Sequence, residues 1–254
     1  MLSLDDIKQA ALAVGFDDCS VARADALTDD EYPLREWLRQ GWHGDLGYME
    51  RNVEMRLDPR LLVPGAKSVI CCVSAYGPPD PQRTDGVAAY AQHREYHSVV
   101  KAMLFALRER LGIDGKVCCD TVPISDKHWA ARAGLGWIGR HTLLITPRWG
   151  TWVNLGEIVT TEEVESEERR MENGERRTEV GDRCTRCHRC VDACPNHALA
   201  PDGPPMLDVR RCTAYYTTHQ QRPLPPDVDT RGYTQGCDLC QLACPFNGIV
   251  KIHH

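Results

Sequence analysis

Eight of the thirteen cysteines in this 254-residue chain fall within residues 184–254, in two motifs whose spacing predicts iron–sulfur chemistry. The two motifs are Cys184-x-x-Cys187-x-x-Cys190-x-x-x-Cys194-Pro195 and, with Cys212 upstream of it, Cys237-x-x-Cys240-x-x-x-Cys244-Pro245. Two-residue gaps let a single turn of loop bring three thiolates to the corners of a cubane cluster. The sequence therefore predicts two 4Fe–4S clusters in its last third, where they would relay single electrons.

The order of the cysteines also predicts which thiolates share a cluster, because the fourth cysteine of such a run ligates the other cluster in two-cluster proteins. The cluster 1 set is then Cys184, Cys187, Cys190 and Cys244. The cluster 2 set is Cys194, Cys212, Cys237 and Cys240. Zinc is the alternative, since it also takes four thiolates. The triple spacing followed by Cys-Pro favours iron and sulfur, and it places the two clusters close enough for electron transfer.

The residues before the cysteine motifs predict a domain of alternating helices and strands. The predicted helices cover residues 4–15, 31–50, 95–112 and 127–133, and the predicted strands cover residues 67–75, 117–120, 141–145 and 151–159. This alternation favours an α/β domain. The five remaining cysteines have no ligand spacing, and we expect small buried core residues at these positions: Cys19, Cys71, Cys72, Cys118 and Cys119.

Composition narrows the class of protein. A hydrophobic fraction of 42% is enough for one large and one small domain, and the net charge of −6 argues against a generally basic protein that coats nucleic acid. The sequence has no run of eighteen apolar residues, so it predicts no membrane span. Its first residues lack the layout of a signal peptide. We therefore expect a cytoplasmic protein without a membrane partner, whose dense cysteines hold metal rather than disulfides.

The expected organisation has three parts. Residues 1–160 form the α/β domain, residues 161–180 form an acidic exposed insertion or linker, and residues 181–254 form the cluster domain. The middle segment contains eight Glu and four Arg and almost no apolar residue, so it cannot add to a core.

Several longer stretches resemble the epoxyqueuosine reductases, which are cobalamin-dependent iron–sulfur enzymes of queuosine synthesis. They are DTVPISDKHWAARAGLGWIGRHT from Asp120, LLITPRWGTWVNLGEI from Leu143, LDVRRCTAYYT from Leu207 and GCDLCQLACPFN from Gly236. The stretch NVEMRLDPRLLVPGAKSVI, residues 52–70, is similar to the N-terminal part of that family. The family is related more distantly to reductive dehalogenases.

The resemblance implies a fold and a reaction. The fold would be a cobalamin-binding α/β domain, with a nitroreductase-like sheet and flanking helices, followed by a small ferredoxin-like domain with two clusters. The reaction would reduce an epoxide on a modified wobble base of tRNA to an alkene and water. Base-off cobalamin would lie over the α/β domain, and electrons from an external donor such as a flavodoxin or ferredoxin would reach it through the clusters. We expect a monomer.

The resemblance also implies roles for particular residues. Asp120 occupies the proton-donor position, and a carboxyl group needs a low-dielectric pocket to stay protonated for that role. The glycine-rich run from Gly134 to Gly139 lets backbone approach a ligand closely. Matching positions predict that Asp120 also contacts cobalamin, together with a further set of residues at or near it: Arg56, Trp137, His141, Leu144, Leu155, Ala214 and Asp238.

The chain departs from the family pattern in several places. His93 and Glu95, in the segment AYAQHREYH near the expected substrate, stand where the family usually has Gly and Asp, and His219 to Arg222 replace Glu-His-Lys-Gly. Family members usually continue past the clusters into a helical extension that helps to hold tRNA, so we expect a short form without it. The acidic segment would repel phosphate.

Two other functions stay open from the sequence. The same cofactors could act on a small epoxide or an organohalide, or the chain could be a non-catalytic protein that transfers electrons or handles corrinoids. A carrier has no need of a buried acid, so Asp120 separates the carrier from the enzymes.

Overall fold

The computed structural model describes residues 2–93, 95–166, 184, 186–218 and 223–249. Six helices belong to the part before residue 166: α1 Leu4–Ala13, α2 Thr28–Arg39, α3 Val53–Leu57, α4 Pro59–Leu62, α5 Tyr96–Leu111 and α6 Asp126–Arg132. The strands are β1 Asp18–Arg23, β2 Ser68–Ala75, β3 Lys116–Cys118, β4 Trp137–Ile138, β5 Leu144–Ile145 and β6 Val153–Thr160. Later come three short helices at Arg189–Asp192, Thr213–Thr218 and Leu239–Leu242, with 3-10 turns at Val209–Arg211 and Pro245–Ile249.

A four-stranded sheet in the order β1-β2-β6-β3 forms the centre of the molecule, and its neighbouring strands are all antiparallel. Helices cover both faces: α1 and α5 pack on one, and α6 packs on the other. Side chains alternate between the faces along β2, so Val69 and Cys71 enter one hydrophobic cluster and Ile70 and Cys72 enter the other. The expected α/β fold is confirmed, with antiparallel pairing throughout the main sheet.

Local signals explain the two helices that pack together beneath the sheet. The Ser3 side chain accepts a hydrogen bond from the Asp6 N–H and caps α1, whose buried Leu4, Ile7 and Ala11 recur at helical spacing. Helix α5 ends where Gly112 adopts a left-handed φ of 63°. Both helices lie within the ranges predicted from the sequence.

Other sequence expectations were wrong in detail. The strand predicted over 141–145 is reduced to β5, which forms a two-stranded hairpin with β4. The helical region predicted within residues 31–50, with an end near Gly41, begins earlier, at Thr28. It ends at Arg39, close to the predicted end, and residues 40–52 continue mostly as turns. Strand β1 was not predicted, because its six residues are almost all buried and show no alternation of apolar and polar residues.

The cysteines without ligand spacing lie in the core, as expected. All five are at most 1% exposed, and the sulfurs of Cys19 and Cys72 lie 3.6 Å apart across β1 and β2. Within the described residues, no helix combines the length and apolar character needed to cross a membrane.

The start of the predicted acidic segment packs against the α/β layer. Val164 pairs with Leu2 in an isolated β-bridge, Ser166 is fully buried, and the Glu165 carboxylate accepts a hydrogen bond from the Leu4 N–H. Residues 167–183, and the His219–Arg222 departure, lie outside the described residues. The three-part division at residues 160 and 180 therefore stays a prediction.

Candidate active site between the sheet and the cluster region

The structure brings together each predicted set of four thiols. The cluster 1 set lines a small cavity together with Arg140, His141, Pro245 and Phe246. The cluster 2 set lines a much larger cavity of about 470 Å³. Each cavity is therefore lined by one complete set of the assignment based on motif order. Cys244 of the second motif joins three cysteines of the first, and Cys194 of the first motif joins the cluster 2 set.

Burial shifts the ionisation of these thiols in the metal-free chain. It raises the pKa of Cys190 to about 11 and that of Cys237 to about 11, with further increases from neighbouring thiols of the same set. Because iron binds the thiolate form, cluster assembly at neutral pH must release protons from both sets.

The large cavity lies between the α/β layer and the cluster region. Its lining includes Tyr76, Tyr90, Tyr96 and Asp120 from the α/β layer, together with the cluster 2 thiols. A second cavity of about 420 Å³ adjoins it. The two cavities have several wall residues in common: Asp120, Asp126, Lys127, Thr142 and Leu207. Together they form a space large enough for a ligand well beyond the size of a single nucleoside.

Asp120 stands in a strained backbone position at the edge of this space. It follows β3 by two residues, and its φ of 54° is in the left-handed region, which is uncommon for a residue with a side chain. Its Oδ2 accepts a hydrogen bond of 2.7 Å from the Tyr96 hydroxyl and lies 3.0 Å from His97 Nε2. The side chain is 45% exposed and borders the open cavity, so the expected burial of this carboxyl group in a low-dielectric pocket is not observed.

The start of α5 supplies both partners of Asp120. Glu95 caps this helix by accepting the N–H groups of His97 and Ser98, and its carboxylate also contacts His97 Nδ1. The rings of Tyr96 and His97 stack at 4.1 Å. Burial, followed by the charge of Asp120, raises the pKa of Tyr96, so its hydroxyl stays protonated and remains a donor. Glu95, His97 and Asp120 therefore form a continuous polar chain that ends at the cavity.

A second group of ionisable residues lies deeper in the wall. Glu157 on β6 is fully buried, and burial together with the charge of the nearby Asp126 carboxyl raises its pKa. Burial lowers the pKa of Lys127 to about 8, and its Nζ donates to the Thr142 carbonyl. Arg56, whose Nη2 donates to the Tyr48 carbonyl at 3.1 Å, lines the second cavity together with Lys127.

The residues matched to cobalamin positions divide into two groups. Four line the large cavity, and Arg56 lines the adjoining one. The four are His141, Leu144, Leu155 and Ala214. Trp137 and Asp238 line neither cavity: Trp137 packs on Phe246 with ring centroids 5.0 Å apart, and the Asp238 carboxylate accepts the Ala89 N–H at 2.7 Å. In this structure those two join the cluster region to the α/β layer.

The glycine-rich run serves packing rather than ligand approach. A Cβ atom on Gly136 would lie 2.2 Å from the Ile145 carbonyl oxygen, and one on Gly139 would lie 2.6 Å from the His141 ring. These glycines allow β4 and β5 to meet closely, and none of them lines either large cavity. The expectation that they bring backbone close to the corrinoid is not met by this geometry.

His141 contributes to two cavities at once. It lines both the small cavity of cluster 1 and the large cavity, so its imidazole is a wall residue that the two cavities share. Its Nδ1 accepts the Leu143 N–H at 3.2 Å, and burial lowers its pKa to about 4. The ring is therefore neutral at physiological pH, with its proton on Nε2.

Sequence reasoning did not identify Tyr96, His97, Arg140 or the Asp126–Glu157 pair as site residues. Tyr96 and His97 do lie in the segment that was expected near the substrate, and the Glu95 cap was the available signal. No sequence pattern marks Arg140 or Glu157, because each reaches the site only through the antiparallel pairing of the strands.

The fold and the paired thiol sets define an iron–sulfur reductase with a large ligand cavity, and comparisons with known proteins give its family. Residues 56–121 match the family "Epoxyqueuosine reductase QueG, DUF1730", and residues 183–247 match the "4Fe-4S double cluster binding domain". The chain is 34% identical over 259 residues to an epoxyqueuosine reductase of Cellulophaga algicola, covering 98% of this chain and 80% of the relative. It is 37% identical over 254 residues to that of Gloeobacter violaceus, covering 95% and 75%.

Solved structures agree with this relationship. The epoxyqueuosine reductase of Streptococcus thermophilus superposes with a TM-score of 0.80 at 28% identity, covering 98% of this chain and 67% of that one. An epoxyqueuosine reductase with a modified tRNA-Tyr stem loop superposes with a TM-score of 0.82 at 28% identity, covering 98% and 66%. The reductive dehalogenase NpRdhA shares the fold at 15% identity, with a TM-score of 0.59 and coverages of 96% and 31%.

The chain belongs to the epoxyqueuosine reductase family and is an oxidoreductase with two 4Fe–4S clusters. The family depends on cobalamin, and the reductive dehalogenases share its fold. The expected family, enzyme class and cofactor set are confirmed, and the family match favours iron over the zinc alternative.

Proposed function

We propose that this chain reduces epoxyqueuosine in tRNA to queuosine, with cobalamin in the large cavity and Asp120 as the proton donor. One observation supports this above the others: Asp120 and the four cluster 2 thiols line the same cavity of about 470 Å³. The relative solved with an epoxyqueuosine-modified tRNA stem loop supports the substrate.

The residues present fit cobalamin. Leu144, Leu155 and Ala214 give the large cavity apolar walls suited to the face of a macrocycle. The adjoining cavity is lined by polar groups with inaccessible, unpartnered atoms, namely Arg56 Nε, Asp126 Oδ1 and His128 Nδ1. A ligand with peripheral amides satisfies such atoms, whereas an apolar ligand leaves them unpaired. When bound, cobalamin supplies a strongly reducing cobalt centre.

The two thiol sets would hold the clusters at different distances from this site. The cluster 2 set faces the cavity directly, and the cluster 1 set lies behind His141. Iron–sulfur clusters of this type carry one electron at a time. The arrangement supports entry of electrons at cluster 1 and their delivery at cluster 2. The expected donor, a flavodoxin or ferredoxin, and the monomeric state stay predictions.

Opening the epoxide to an alkene and water consumes two electrons and two protons, and both protons end on the departing oxygen. The Asp120 carboxyl group is positioned to deliver a proton to that oxygen, because it lies at the cavity wall with Tyr96 holding it in place. His97 Nε2, 3.0 Å from Asp120 Oδ2, can return a proton to Asp120 after each turnover. Glu95 contacts the other ring nitrogen and holds the imidazole in this orientation.

The experiment compares Asp120→Asn with the wild-type chain, both reconstituted anaerobically with iron, sulfide and cobalamin. We expect turnover of tRNA that carries the epoxide to fall by about 10²–10⁴, the usual contribution of a positioned general acid. Iron content and cobalamin binding should not change. Asp202→Asn, which alters an exposed carboxylate away from both cavities, is the matched control and should retain full activity.

Full activity of Asp120→Asn would show that another group donates the proton. If the loaded wild-type chain leaves the tRNA epoxide intact but reduces a small epoxide, the proposed substrate is wrong while the proposed acid stands. Binding of tRNA at two salt concentrations separates a failure to bind from a failure of chemistry, because phosphate contacts weaken as salt rises.

A further inference from the structure

Arg140 lines the small cavity that the cluster 1 thiols also line, and two of its guanidinium N–H groups are buried without a partner. It lies in the hairpin between β4 and β5 and lines the small cavity with Cys184, Cys187, Cys190 and Cys244. Its Nε and Nη1 are inaccessible to solvent, and within the part of the chain that the structure describes neither has a hydrogen-bond acceptor. Two donors of a permanent cation are thus buried next to the thiols without protein partners.

Such an arrangement needs an acceptor. A buried donor that loses its water and finds no partner is strongly unfavourable, more so when it carries charge. The other residues around the cavity are the thiols, the His141 ring, Pro245 and Phe246. His141 Nδ1 already accepts the Leu143 N–H, and Nε2 carries the proton. The acceptors that remain are the sulfur atoms of an assembled cluster.

We propose that Arg140 donates N–H hydrogen bonds to sulfur atoms of cluster 1 and thereby raises the reduction potential of that cluster relative to cluster 2. Reduction adds one electron to a centre that is already anionic. A fixed positive charge and N–H donors stabilise the reduced form more than the oxidised form, and both raise the potential of iron–sulfur clusters. Arg140 keeps its proton throughout, so the step moves only the electron from the donor to the cluster.

The cluster 2 set lacks an equivalent group. Among the residues that line the large cavity, no arginine is present, and Lys127 donates its Nζ to the Thr142 carbonyl. A higher potential at cluster 1 makes it the first acceptor of an electron from a one-electron carrier. Arg140 would therefore be a positioning residue for electron entry, without contact to the substrate.

The test is a redox titration of the full chain, reconstituted with iron and sulfide but without cobalamin, with dithionite as the reductant. Electron paramagnetic resonance resolves the two reduced clusters. We expect Arg140→Gln to lower the midpoint potential of one cluster and leave the other unchanged. Arg140→Lys keeps the positive charge but loses the planar guanidinium with its several N–H donors, so it should lower the midpoint potential by less. Arg189→Gln removes the same charge from an exposed position beside Cys190, and should leave both potentials unchanged.

An unchanged potential in Arg140→Gln with full iron content would overturn the proposal, as would an equal shift in Arg189→Gln. If Arg140→Gln fails to hold cluster 1, exchangeable-proton couplings measured in D₂O provide a second measurement. The wild-type reduced cluster 1 should then show couplings that Arg140→Lys loses in part, and equal couplings would contradict the proposal. The inference rests on the assignment of the cluster 1 set. Fewer than eight irons in the wild-type chain would mean that this assignment, rather than Arg140, is at fault.

Discussion

The α/β layer and the cluster region are held together by different forces. The layer has two extensive sets of buried apolar side chains, one on each face of the sheet. Among the described residues, the apolar group at the cluster region centres on Trp137, Ile145 and Cys244, and the first two come from the β4–β5 hairpin. A region with so little apolar burial of its own needs another source of stability, which metal–thiolate bonds provide. We therefore expect the layer to fold by itself and the region after residue 184 to depend on iron.

Removal of iron should have the largest effect. When an iron chelator is added to the reduced, reconstituted chain, we expect amide hydrogen exchange to become fast throughout 186–247 and to stay slow in β2 and β6. The reason is that the strands keep both apolar faces, while the cluster region loses its cross-links. Mass spectrometry of peptic fragments measures both regions in one sample. Equal loss of protection in both would mean that the layer has no independent stability.

A core substitution should affect the other side of the comparison. Leu104 on α5 is fully buried beside Gly156, so Leu104→Ala should lower the free energy of unfolding of the layer by about 2–5 kcal/mol. Denaturant unfolding of the iron-free chain, followed by circular dichroism, gives this value. Leu12→Ala on α1 is the control, because Leu12 is 56% exposed. We expect it to change the free energy of unfolding by no more than about 0.5 kcal/mol. A similar decrease in the free energy of unfolding for both variants would contradict the assignment of Leu104 to the core.

The contact between the two regions should respond to a smaller change. Asn247 Oδ1 accepts the Thr151 N–H at 2.8 Å, and its Nδ2 donates to the Gln241 carbonyl at 2.7 Å. Asn247→Ala leaves the partly buried Thr151 N–H unpaired, so we expect the free energy of unfolding to fall by about 1–3 kcal/mol. Amide hydrogen exchange at Thr151 and Trp152 should become faster. Asn196→Ala, which breaks bonds to Thr213 and Asp229 within the cluster region, should leave those two amides protected. Identical exchange in both variants would show that Asn247 does not join the regions.

The smallest expected effect is a pH dependence confined to the layer. Burial, then the charge of Asp29, raises the pKa of Asp30 from 3.8 to about 6, against the opposing charge of Arg132. The folded state thus binds this proton more tightly, and the free energy of unfolding should fall as pH rises from 3.8 through about 6. Asp30→Asn should remove the contribution of Asp30 to that slope and raise the free energy of unfolding at pH 7 by about 1 kcal/mol. This figure is discounted for solvent screening, because a third of the Asp30 side chain is exposed. Denaturation at pH 4 and pH 7 measures it, and an unchanged slope would contradict it.

The sequence predicted those features that depend on local spacing. The eight cysteines, α1 with its Ser3 cap, and α5 with its Gly112 stop could all be predicted, because motif gaps, capping residues and periodicity act over a few residues. The division of the thiols into two sets also followed from motif order, and the cavities group the same side chains.

Features that depend on long-range pairing could not be predicted. The antiparallel order β1-β2-β6-β3 brings Glu157 into the wall near Asp126, although nothing in its neighbourhood marks it. The hairpin of β4 and β5 turns Arg140 toward the cluster 1 thiols in the same way. The contacts of Tyr96 and His97 with Asp120 join residues about 24 positions apart, and no alternation or capping rule reports such a distance.

Cys244 has a consequence for the order in which the molecule is made. Three members of the cluster 1 set lie within residues 184–190, but the fourth follows more than fifty residues later, just before the turn that contacts Thr151. During synthesis the first three thiols must wait for that segment to leave the ribosome, while the sheet already has all its strands. A complete cluster 1 ligand set therefore exists only after all strands of the layer have been made, and a chain stalled before residue 244 would have three of its four thiols.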